Sequence, residues 1–220
     1  MRKLPSIIKI SLFPLILSTI SLLIAWLGEP AANWLQYGRD EIRQGQLWRL
    51  FSGHLVHLTW THLMMNIAGL ALIWALFQHL FRLGGWIVIT SINALAVSIG
   101  LLLFNPEVAW YVGLSGILHG MFSAGLIASI RVGNRMEILL LMGFIAKLAW
   151  EQTVGPTPGS EQLAGGKVLV DAHLYGAIFG AVSAAFWPRR MFNPDFPLGS
   201  TAAAQRTESA REKKKSSLSP

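Results

Sequence analysis

Hydrophobic residues dominate six stretches of the sequence, each close to the length of a membrane-spanning helix. Such a helix needs about 20 mostly apolar residues, at a rise of roughly 1.5 Å per residue. The predicted spans are Ile7 to Leu27, His62 to Leu80, Trp86 to Phe104, Ser115 to Ile130, Glu137 to Thr153 and Val168 to Trp187. The first could be a signal peptide cleaved near Ala32, but it is longer than a signal core and we expect a retained span. The pattern predicts an all-α membrane protein with six transmembrane helices.

Two regions of the chain lack this apolar pattern. Residues 28–60 form a long loop that carries Trp34, Trp48 and Trp60, and tryptophan prefers the membrane interface. We expect this external loop to be partly helical and to lie on the bilayer. Residues 192–220 are rich in Ser, Ala, Lys and Pro, a composition too polar to pack a core. The sequence therefore predicts a membrane domain over residues 1–191 and a flexible cytoplasmic tail over 192–220.

The composition describes a protein of the bilayer, and the positive charges predict its orientation. Hydrophobic residues make up 53% of the chain, charged residues only 13%, and there are 18 lysines and arginines. An even number of spans places both termini on one side, and the cytoplasmic side is enriched in positive charge. With cytoplasmic termini that side holds 13 of the 18: Arg2, Lys3, Lys9, Arg82, Arg131, Arg135, Arg189, Arg190, Arg206, Arg211, Lys213, Lys214 and Lys215. We therefore expect both termini in the cytoplasm.

Several classes of chemistry are excluded or disfavoured by residue content. The chain has no cysteine, which excludes disulfides, thiolate metal sites and a cysteine nucleophile. Its net charge of +7 comes without zinc-ligand spacing or an RNA-binding signature, so we expect no nucleic-acid partner. His54, His57 and His62 lie close in sequence, but their spacing is not a clear ligand pattern. We expect neither a metal nor a cofactor.

Three polar residues share a predicted depth in the membrane. Polar groups inside a bilayer cost several kcal/mol unless they face the protein interior, so each is a functional candidate. Asn66, Ser115 and His173 each precede by 16 residues the arginine that closes their span, namely Arg82, Arg131 and Arg189. At roughly 1.5 Å per residue this is about 24 Å in a core of about 30 Å. All three would lie a few Å below the external surface.

A hydroxyl, an imidazole and a carboxamide at one depth are the components of an acyl-transfer site. Ser115 would be the nucleophile and His173 the general base, with Asn66 as a donor to the oxyanion. His62 lies one helical turn before Asn66 and could be a second donor, as could the backbone N–H of Ser115. His119, one turn after Ser115, is an alternative base. Separately, each residue also fits a structural role as a helix cap or an interhelical hydrogen bonder.

Other residues in the last three spans fit structural roles. Small residues at spacing four would let the fourth and sixth spans approach closely; they are Gly116, Gly120, Ala172, Gly176 and Gly180. We expect Lys147 and Glu151, also four apart, to form an ion pair within the fifth span. Asp171 could be a third catalytic acid for His173, but two positions apart on one helix they face different directions. Stabilisation of the start of the sixth helix is the preferred role of Asp171.

On the basis of these residues the sequence resembles the rhomboid family of six-span intramembrane serine proteases. The resemblance covers about residues 46–185 and rests on ordered motifs. They are Trp48-Arg49, His62 with Asn66 as H-x-x-x-N, Gly113 to Gly116 as G-x-S-G, and Ala172-His173 followed by Gly176 and Gly180. The resemblance implies a catalytic dyad of Ser115 and His173 without a third acid. It also implies that His62 and Asn66 help to hold the oxyanion.

One position departs from the usual rhomboid pattern. His119 stands where rhomboids commonly have a tyrosine stacked on the catalytic histidine. The residues around Ser115 and His173 resemble those of the rhombosortase branch. This implies a protease of the bacterial inner membrane, with its active site facing the periplasm, that cleaves membrane-anchored proteins at a C-terminal Gly-Gly tag. Alternative functions are a catalytically inactive rhomboid-like protein that binds helices, and a membrane transporter.

Overall fold

The computed structural model describes residues 6–188, with side chains from residue 12 onward. Its helices are α1 Ser6–Leu27, α2 Glu29–Leu35, α3 Arg39–Arg43, α4 Arg49–Ser52, α5 Trp60–Phe77, α6 Leu83–Phe104, α7 Ser115–Arg131, α8 Glu137–Thr153, α9 Ser160–Ala164 and α10 Val170–Phe186. The long helices α1, α5, α6, α7, α8 and α10 coincide with the six predicted apolar stretches to within three residues at each end. The predicted tail, 192–220, lies outside the described residues.

Not every long helix has the length and composition of a membrane span. Among the described residues, α5 and α6 are both long and apolar enough to cross a bilayer. Two further apolar segments are Leu12–Leu27, which is part of the 22-residue α1, and the 17-residue α10. Helices α7 and α8 have 17 residues each and contain more polar side chains. The mostly helical fold agrees with the predicted class, whereas the count of six spans stays a prediction.

Helix α7 is the centre of the fold because its small residues let other helices approach from several sides. It packs against α5, α6, α8 and α10. A Cβ on Gly120 would overlap the Asn93 side chain of α6, and a Cβ on Gly125 would overlap the Phe77 ring of α5. Residues with larger side chains at these positions would push the neighbouring helices away.

The contact between α7 and α10 is close enough to involve backbone atoms. A Cβ on Gly176 would overlap the carbonyl oxygen of Gly116, and one on Gly180 would overlap the carbonyl oxygen of Gly120. The Ser123 hydroxyl donates across the same contact to the Ala177 carbonyl, at 2.8 Å. The predicted close approach of these two helices is confirmed.

The loop between α1 and α5 is partly helical, as predicted. It contains α2, α3 and α4 and a 3-10 helix at Gly53–Leu55. One feature was not predicted: β1 (Tyr37–Gly38) pairs antiparallel with β2 (Trp110–Tyr111). A two-residue strand gives no alternating pattern in sequence, so the pairing could not be predicted.

Two buried arginines hold this loop in place, Arg39 by contacts with the end of α6 and Arg49 by contacts within the loop. The guanidinium of Arg39 donates to the carbonyls of Leu101, Leu102, Asn105 and Val108 at 2.6 to 2.9 Å, at and just beyond the C-terminal end of α6. A cation at a helix C-terminus also interacts favourably with the helix dipole. In the same loop Arg49 donates to the backbone carbonyls that end α2. Arg39 thereby anchors the loop to the end of α6 and to the segment just before β2, whereas Arg49 joins α4 to α2 within the loop.

Candidate active site

Ser115 lies at the start of α7, directly after a turn that requires glycine. Gly113 has φ +119°, a backbone conformation that residues with a Cβ rarely adopt. A Cβ at Gly113 would also lie only 2.9 Å from Cε1 of His62. The turn therefore lets His62 pack against the backbone just before Ser115. The backbone N–H of Ser115, in the first turn of α7, has no acceptor within the helix.

His173 lies in the first turn of α10 and reaches across to Ser115. Its Nε2 is 3.1 Å from the Oγ of Ser115, although the two residues are 58 positions apart in sequence. The imidazole is buried, with 6% of the residue exposed. The short backbone distance between α7 and α10 at Gly116 and Gly176 makes this contact possible. The structure thus places the predicted nucleophile and base within hydrogen-bonding distance.

A carboxylate that the sequence analysis did not place in the site lies on the other side of His173. The carboxylate oxygens of Glu151 are 3.0 and 3.2 Å from Nδ1 of His173. Glu151 is only 2% exposed, and its Oε2 also pairs with Nζ of Lys147 at 2.8 Å. The predicted ion pair between Lys147 and Glu151 is therefore present. The resemblance implied a dyad without a third acid, whereas the structure places a carboxylate beside the second nitrogen of His173.

Asp171 does not contact His173 in a way that would make it the third acid. Its Oδ2 accepts a hydrogen bond from the Nδ2 of Asn105, at 2.7 Å. Asn105 directly follows α6, and Asp171 lies in the first turn of α10. The carboxylate therefore ties the start of α10 to the end of α6, in agreement with its predicted structural role.

His119 stacks on His173 and has both ring nitrogens engaged. The two rings are nearly parallel, with an interplanar angle of 9° and centroids 3.9 Å apart. Nδ1 of His119 lies 2.8 Å from the carbonyl oxygen of Ser115, one helical turn earlier. Its Nε2 contacts Nζ of Lys147. Because a carbonyl only accepts, Nδ1 carries the proton, and the remaining lone pair points to Lys147 rather than to the Ser115 hydroxyl.

The two predicted oxyanion residues line two different cavities, both of which include Ser115. His62 and Ser115 line a cavity of about 240 Å³ that also contains Tyr111 and Lys167. Asn66 and Ser115 line a more apolar cavity of about 280 Å³, bounded by Leu72 and Phe144. The Nδ2 of Asn66 donates to the carbonyl of His62 at 3.1 Å. Ser115 thus borders both the more polar and the more apolar cavity.

Tyr111 is a further residue of the site that the sequence analysis missed. It lies on β2, and its hydroxyl donates to the carbonyl of Gly113 at 2.9 Å. Burial raises the pKa of this hydroxyl to about 12, which its hydrogen bonds to Ser115 and Gly116 only partly offset. Tyr111 therefore stays protonated and supports the turn that presents Ser115. The unpredicted strand pairing between β1 and β2 is what positions it.

A second pair of serine and histidine occurs in the fold but has the wrong donor arrangement for nucleophilic catalysis. Nε2 of His54 lies 3.0 Å from the hydroxyl of Ser98 and 3.1 Å from the carbonyl of Ala94. The Ser98 hydroxyl donates its own proton to the carbonyl of Leu50, at 2.8 Å. Nε2 of His54 is therefore a donor and cannot take a proton from Ser98. Both residues are buried, at 1% and 0% exposure.

The structure also shows which groups could hold a metal ion. Within the described residues, ligand atoms of His119, Glu151 and His173 lie within 4.8 Å of one another. Nζ of Lys147 contacts both Glu151 and His119, so an ammonium already occupies this position between the ligands. Two cations at this distance would repel each other strongly. The cluster therefore favours proton chemistry over metal binding.

The three histidines considered as metal ligands, His54, His57 and His62, are not among the described residues that form a possible metal-binding group. The ring of His54 packs in the interior against Tyr111, while the rings of His57 and His62 contact each other with centroids 5.0 Å apart. Burial lowers the pKa of His57 to about 3, and the neighbouring His62 contributes in the same direction. His57 is therefore neutral at physiological pH.

Comparison with known proteins assigns the chain to a family. The family model described as Rhomboid domain matches residues 44–190, which is more than half of the chain. No curated protein matches it. The matched region includes Ser115, Glu151 and His173 and all of the described helices from α4 onward. A rhomboid domain implies a membrane protein with an intramembrane serine protease-like function.

Proposed function

The chain belongs to the rhomboid family, and we propose that it is an intramembrane serine endopeptidase in which Ser115 and His173 perform the chemistry. The observation that carries the proposal is the 3.1 Å contact between Ser115 Oγ and His173 Nε2. Ser115 lines both the more polar and the more apolar of the two cavities. A substrate helix could occupy the apolar side while water reaches the same serine from the polar side.

The reaction follows from the donors and acceptors around Ser115. His173 takes the hydroxyl proton through Nε2 as Ser115 Oγ attacks the carbonyl carbon of the scissile bond. His173 then gives this proton to the leaving amine, and an acyl-enzyme remains on Ser115. Water deprotonated by the same imidazole hydrolyses the ester and restores the hydroxyl.

Three donors are available for the oxyanion of the tetrahedral intermediate. They are the backbone N–H of Ser115, the side chain of His62 and the amide of Asn66. The first belongs to a helix N-terminus, where backbone donors and the helix dipole favour negative charge. The amide of Asn66 donates to the carbonyl of His62 in this structure and has a second N–H for a substrate oxygen.

We assign a supporting role to His119 rather than that of the base. Both of its nitrogens have partners other than the Ser115 hydroxyl, and its ring covers one face of His173. A flat ring at this position limits the rotation of the catalytic imidazole. The position of His119 also supports assignment to the rhombosortase branch, because it replaces the tyrosine that is common in rhomboids.

The proposed substrate is a membrane-anchored protein with a Gly-Gly element above a C-terminal transmembrane helix. Glycine lowers helix stability by about 1 kcal/mol per residue, which lets a segment leave its helix and extend into a site. The apolar cavity beside Ser115 is lined by residues such as Leu72 and Phe144 that suit the adjoining helix. Cleavage would release the protein from its anchor.

The proposed location is the bacterial inner membrane, with six spans and the site facing the periplasm. The distribution of positive charge supports cytoplasmic termini, since that side would hold 13 of the 18 lysines and arginines. Ser115, His62 and Tyr111 then lie at the external ends of their elements, next to the loop that Arg39 anchors to α6.

Co-expression with a membrane reporter tests the proposal. The reporter carries a Gly-Gly element above a single span, and mass spectrometry identifies its products with wild type, Ser115→Ala and His173→Ala. We expect cleavage by wild type alone. Equal cleavage by Ser115→Ala would refute the serine mechanism. No cleavage combined with retention of the reporter on the purified protein would favour the helix-binding alternative.

A further inference from the structure

We infer that Glu151 is the third member of a catalytic triad with Ser115 and His173, acting as the residue that positions the imidazole. This inference rests on the proposed protease function and adds a residue that a two-residue site lacks. It is based on the placement of the Glu151 carboxylate, 3.0 Å from Nδ1 of His173 and on the opposite side of the ring from Ser115.

The carboxylate determines which nitrogen of His173 carries the proton. An ionised carboxylate only accepts hydrogen bonds, so Nδ1 facing it must be the N–H. Nε2 then has the free lone pair, and it is the atom 3.1 Å from Ser115 Oγ. With the opposite tautomer Nε2 would hold a proton and could not deprotonate the serine. Glu151 therefore fixes the reactive tautomer and the orientation of the ring.

The same carboxylate stabilises the charge that forms during the reaction. When Nε2 takes the Ser115 proton, His173 becomes an imidazolium whose Nδ1–H already points at Glu151. Such a contact is strong in a water-poor interior, and this one is present before the reaction begins. No proton needs to move to Glu151, as in serine protease triads in general.

Lys147 explains how a carboxylate with 2% exposure is accommodated here. A buried ion needs a partner of opposite charge and hydrogen bonds to both of its oxygens. Lys147 provides the charge, at 2.8 Å from Oε2, and its own side chain is 35% exposed. Its Nζ also contacts Nε2 of His119, so the ion pair and the stacked histidine support each other. Lys147, Glu151, His173 and Ser115 form one continuous chain of polar contacts.

A purely structural ion pair would not need this geometry. Lys147 and Glu151 are on one helix and could pair without contacting α10. The carboxylate instead faces Nδ1 of His173, whose other nitrogen faces the nucleophile. A structural role predicts that loss of Glu151 lowers stability, whereas a triad role predicts a slower chemical step in the folded protein.

Kinetics of full-length variants in detergent micelles separate these roles. The proteins are wild type, Glu151→Gln, Glu151→Asp, Ser115→Ala and the control Glu137→Gln, which changes a glutamate at the other end of α8. Cleavage of the Gly-Gly reporter gives kcat and KM, and the thermal midpoint reports folding. A serine-directed fluorophosphonate reports the reactivity of Ser115 independently of any substrate.

We expect Glu151→Gln to lower kcat by about 10²–10⁴-fold, because the glutamine amide can donate to Nδ1 and favour the unreactive tautomer. KM should change by less than about threefold, since the carboxylate does not contact substrate. Phosphonate labelling of folded Glu151→Gln should slow in parallel. Glu151→Asp, which keeps the charge, should retain at least about tenfold more activity than Glu151→Gln, and Glu137→Gln should match wild type.

Failure of this inference differs from failure of the proposed function. Ser115-dependent cleavage with Glu151→Gln within about threefold of wild type in kcat and labelling rate would overturn the triad and leave the protease intact. The triad would also be overturned if the activity of Glu151→Gln fell only in proportion to the fraction of the protein that is folded. Cleavage that persists in Ser115→Ala, or wild type that neither cleaves nor labels, would overturn both.

Discussion

The imidazole of His119 lies flat on that of His173, with 3.9 Å between ring centroids and an interplanar angle of 9°. This contact joins the helix that carries the proposed nucleophile to the helix that carries the proposed base. The hydrogen-bond partners of the two rings favour His173 over His119 as the proposed base. His119 uses its nitrogens on the Ser115 carbonyl and on Lys147, while His173 directs Nε2 at the hydroxyl.

Substitution of His119 should reduce catalysis without abolishing it. We expect His119→Ala to lower kcat by no more than about tenfold, because the proton acceptor remains in place although its ring is less restrained. His173→Ala should lower kcat by at least about 10³-fold. Reporter cleavage rates of the two variants provide the test. A His119→Ala protein as inactive as His173→Ala would show that His119 is a base or an equal partner in the reaction.

The backbone contact between α7 and α10 should be sensitive to a single methyl group. We expect Gly176→Ala to destabilise the protein by about 1–3 kcal/mol and to lower activity, since its Cβ would overlap the Gly116 carbonyl oxygen and separate Ser115 from His173. Gly143→Ala on α8 is the matched control, because nothing lies within 4 Å of its added Cβ.

The control should be as stable as wild type or more stable, by up to about 1 kcal/mol, as expected for Gly to Ala in a helix. Thermal midpoints in one detergent measure both variants. Equal destabilisation by the two substitutions would mean that glycine at position 176 is not required for helix packing.

Some features of the candidate site follow from the positions of residues along a single helix, and these could be predicted from the sequence. Features that depend on contacts between helices were harder to predict. Ser115 and His173 could be paired because both precede an arginine by the same number of residues, which fixes their relative depth. The pairing of Glu151 with Lys147 followed from their spacing on one helix. The contact of Glu151 with His173 did not, because it depends on how α8 rotates against α10.

The loop between α1 and α5 also depends on contacts that the sequence does not reveal. A partly helical loop could be expected from its composition, but the role of Arg39 could not. Its carbonyl partners lie more than 60 positions later in the chain. Tyr111 was missed for a related reason, since its strand has two residues and pairs with an equally short one. Local patterns carry no information about contacts between such distant segments.

Removal of the Arg39 guanidinium should detach the loop from the end of α6. We expect Arg39→Met to destabilise the protein by about 2–5 kcal/mol, because several buried carbonyls lose their donor together. Arg43→Met is the control, since its surface pair with Asp40 should contribute less than about 0.5 kcal/mol. Thermal midpoints and protease sensitivity of the loop measure the difference. Similar behaviour of the two variants would contradict the anchoring role.

The buried His54 should make stability depend on pH in the acid range. Burial lowers the pKa of His54 from 6.5 to about 4 in the folded protein. The unfolded chain binds a proton as the pH falls below about 6.5, whereas the folded protein does so only near pH 4. The contribution of neutral His54 to the free energy of unfolding is therefore fully present above about pH 6.5. It decreases as the pH falls from about 6.5 to about 4, by up to about 3 kcal/mol in total.

Thermal midpoints of wild type and His54→Gln between pH 7.5 and pH 4.5 test this expectation. The wild-type midpoint should fall more steeply on acidification, since glutamine does not titrate. His57 is present in both proteins and its effect cancels in the comparison. Parallel pH dependence in the two proteins would show that His54 is not buried in its neutral form.

The central claim, that His173 activates Ser115, is tested most directly by mapping a serine-directed covalent probe. Wild type, His173→Ala and Ser98→Ala are treated with a fluorophosphonate, and peptide mass spectrometry locates and quantifies the adduct. We predict an adduct on Ser115 in wild type and Ser98→Ala, and at least about 10²-fold slower labelling in His173→Ala. An adduct on Ser98, or labelling of Ser115 that is independent of His173, would contradict the mechanism.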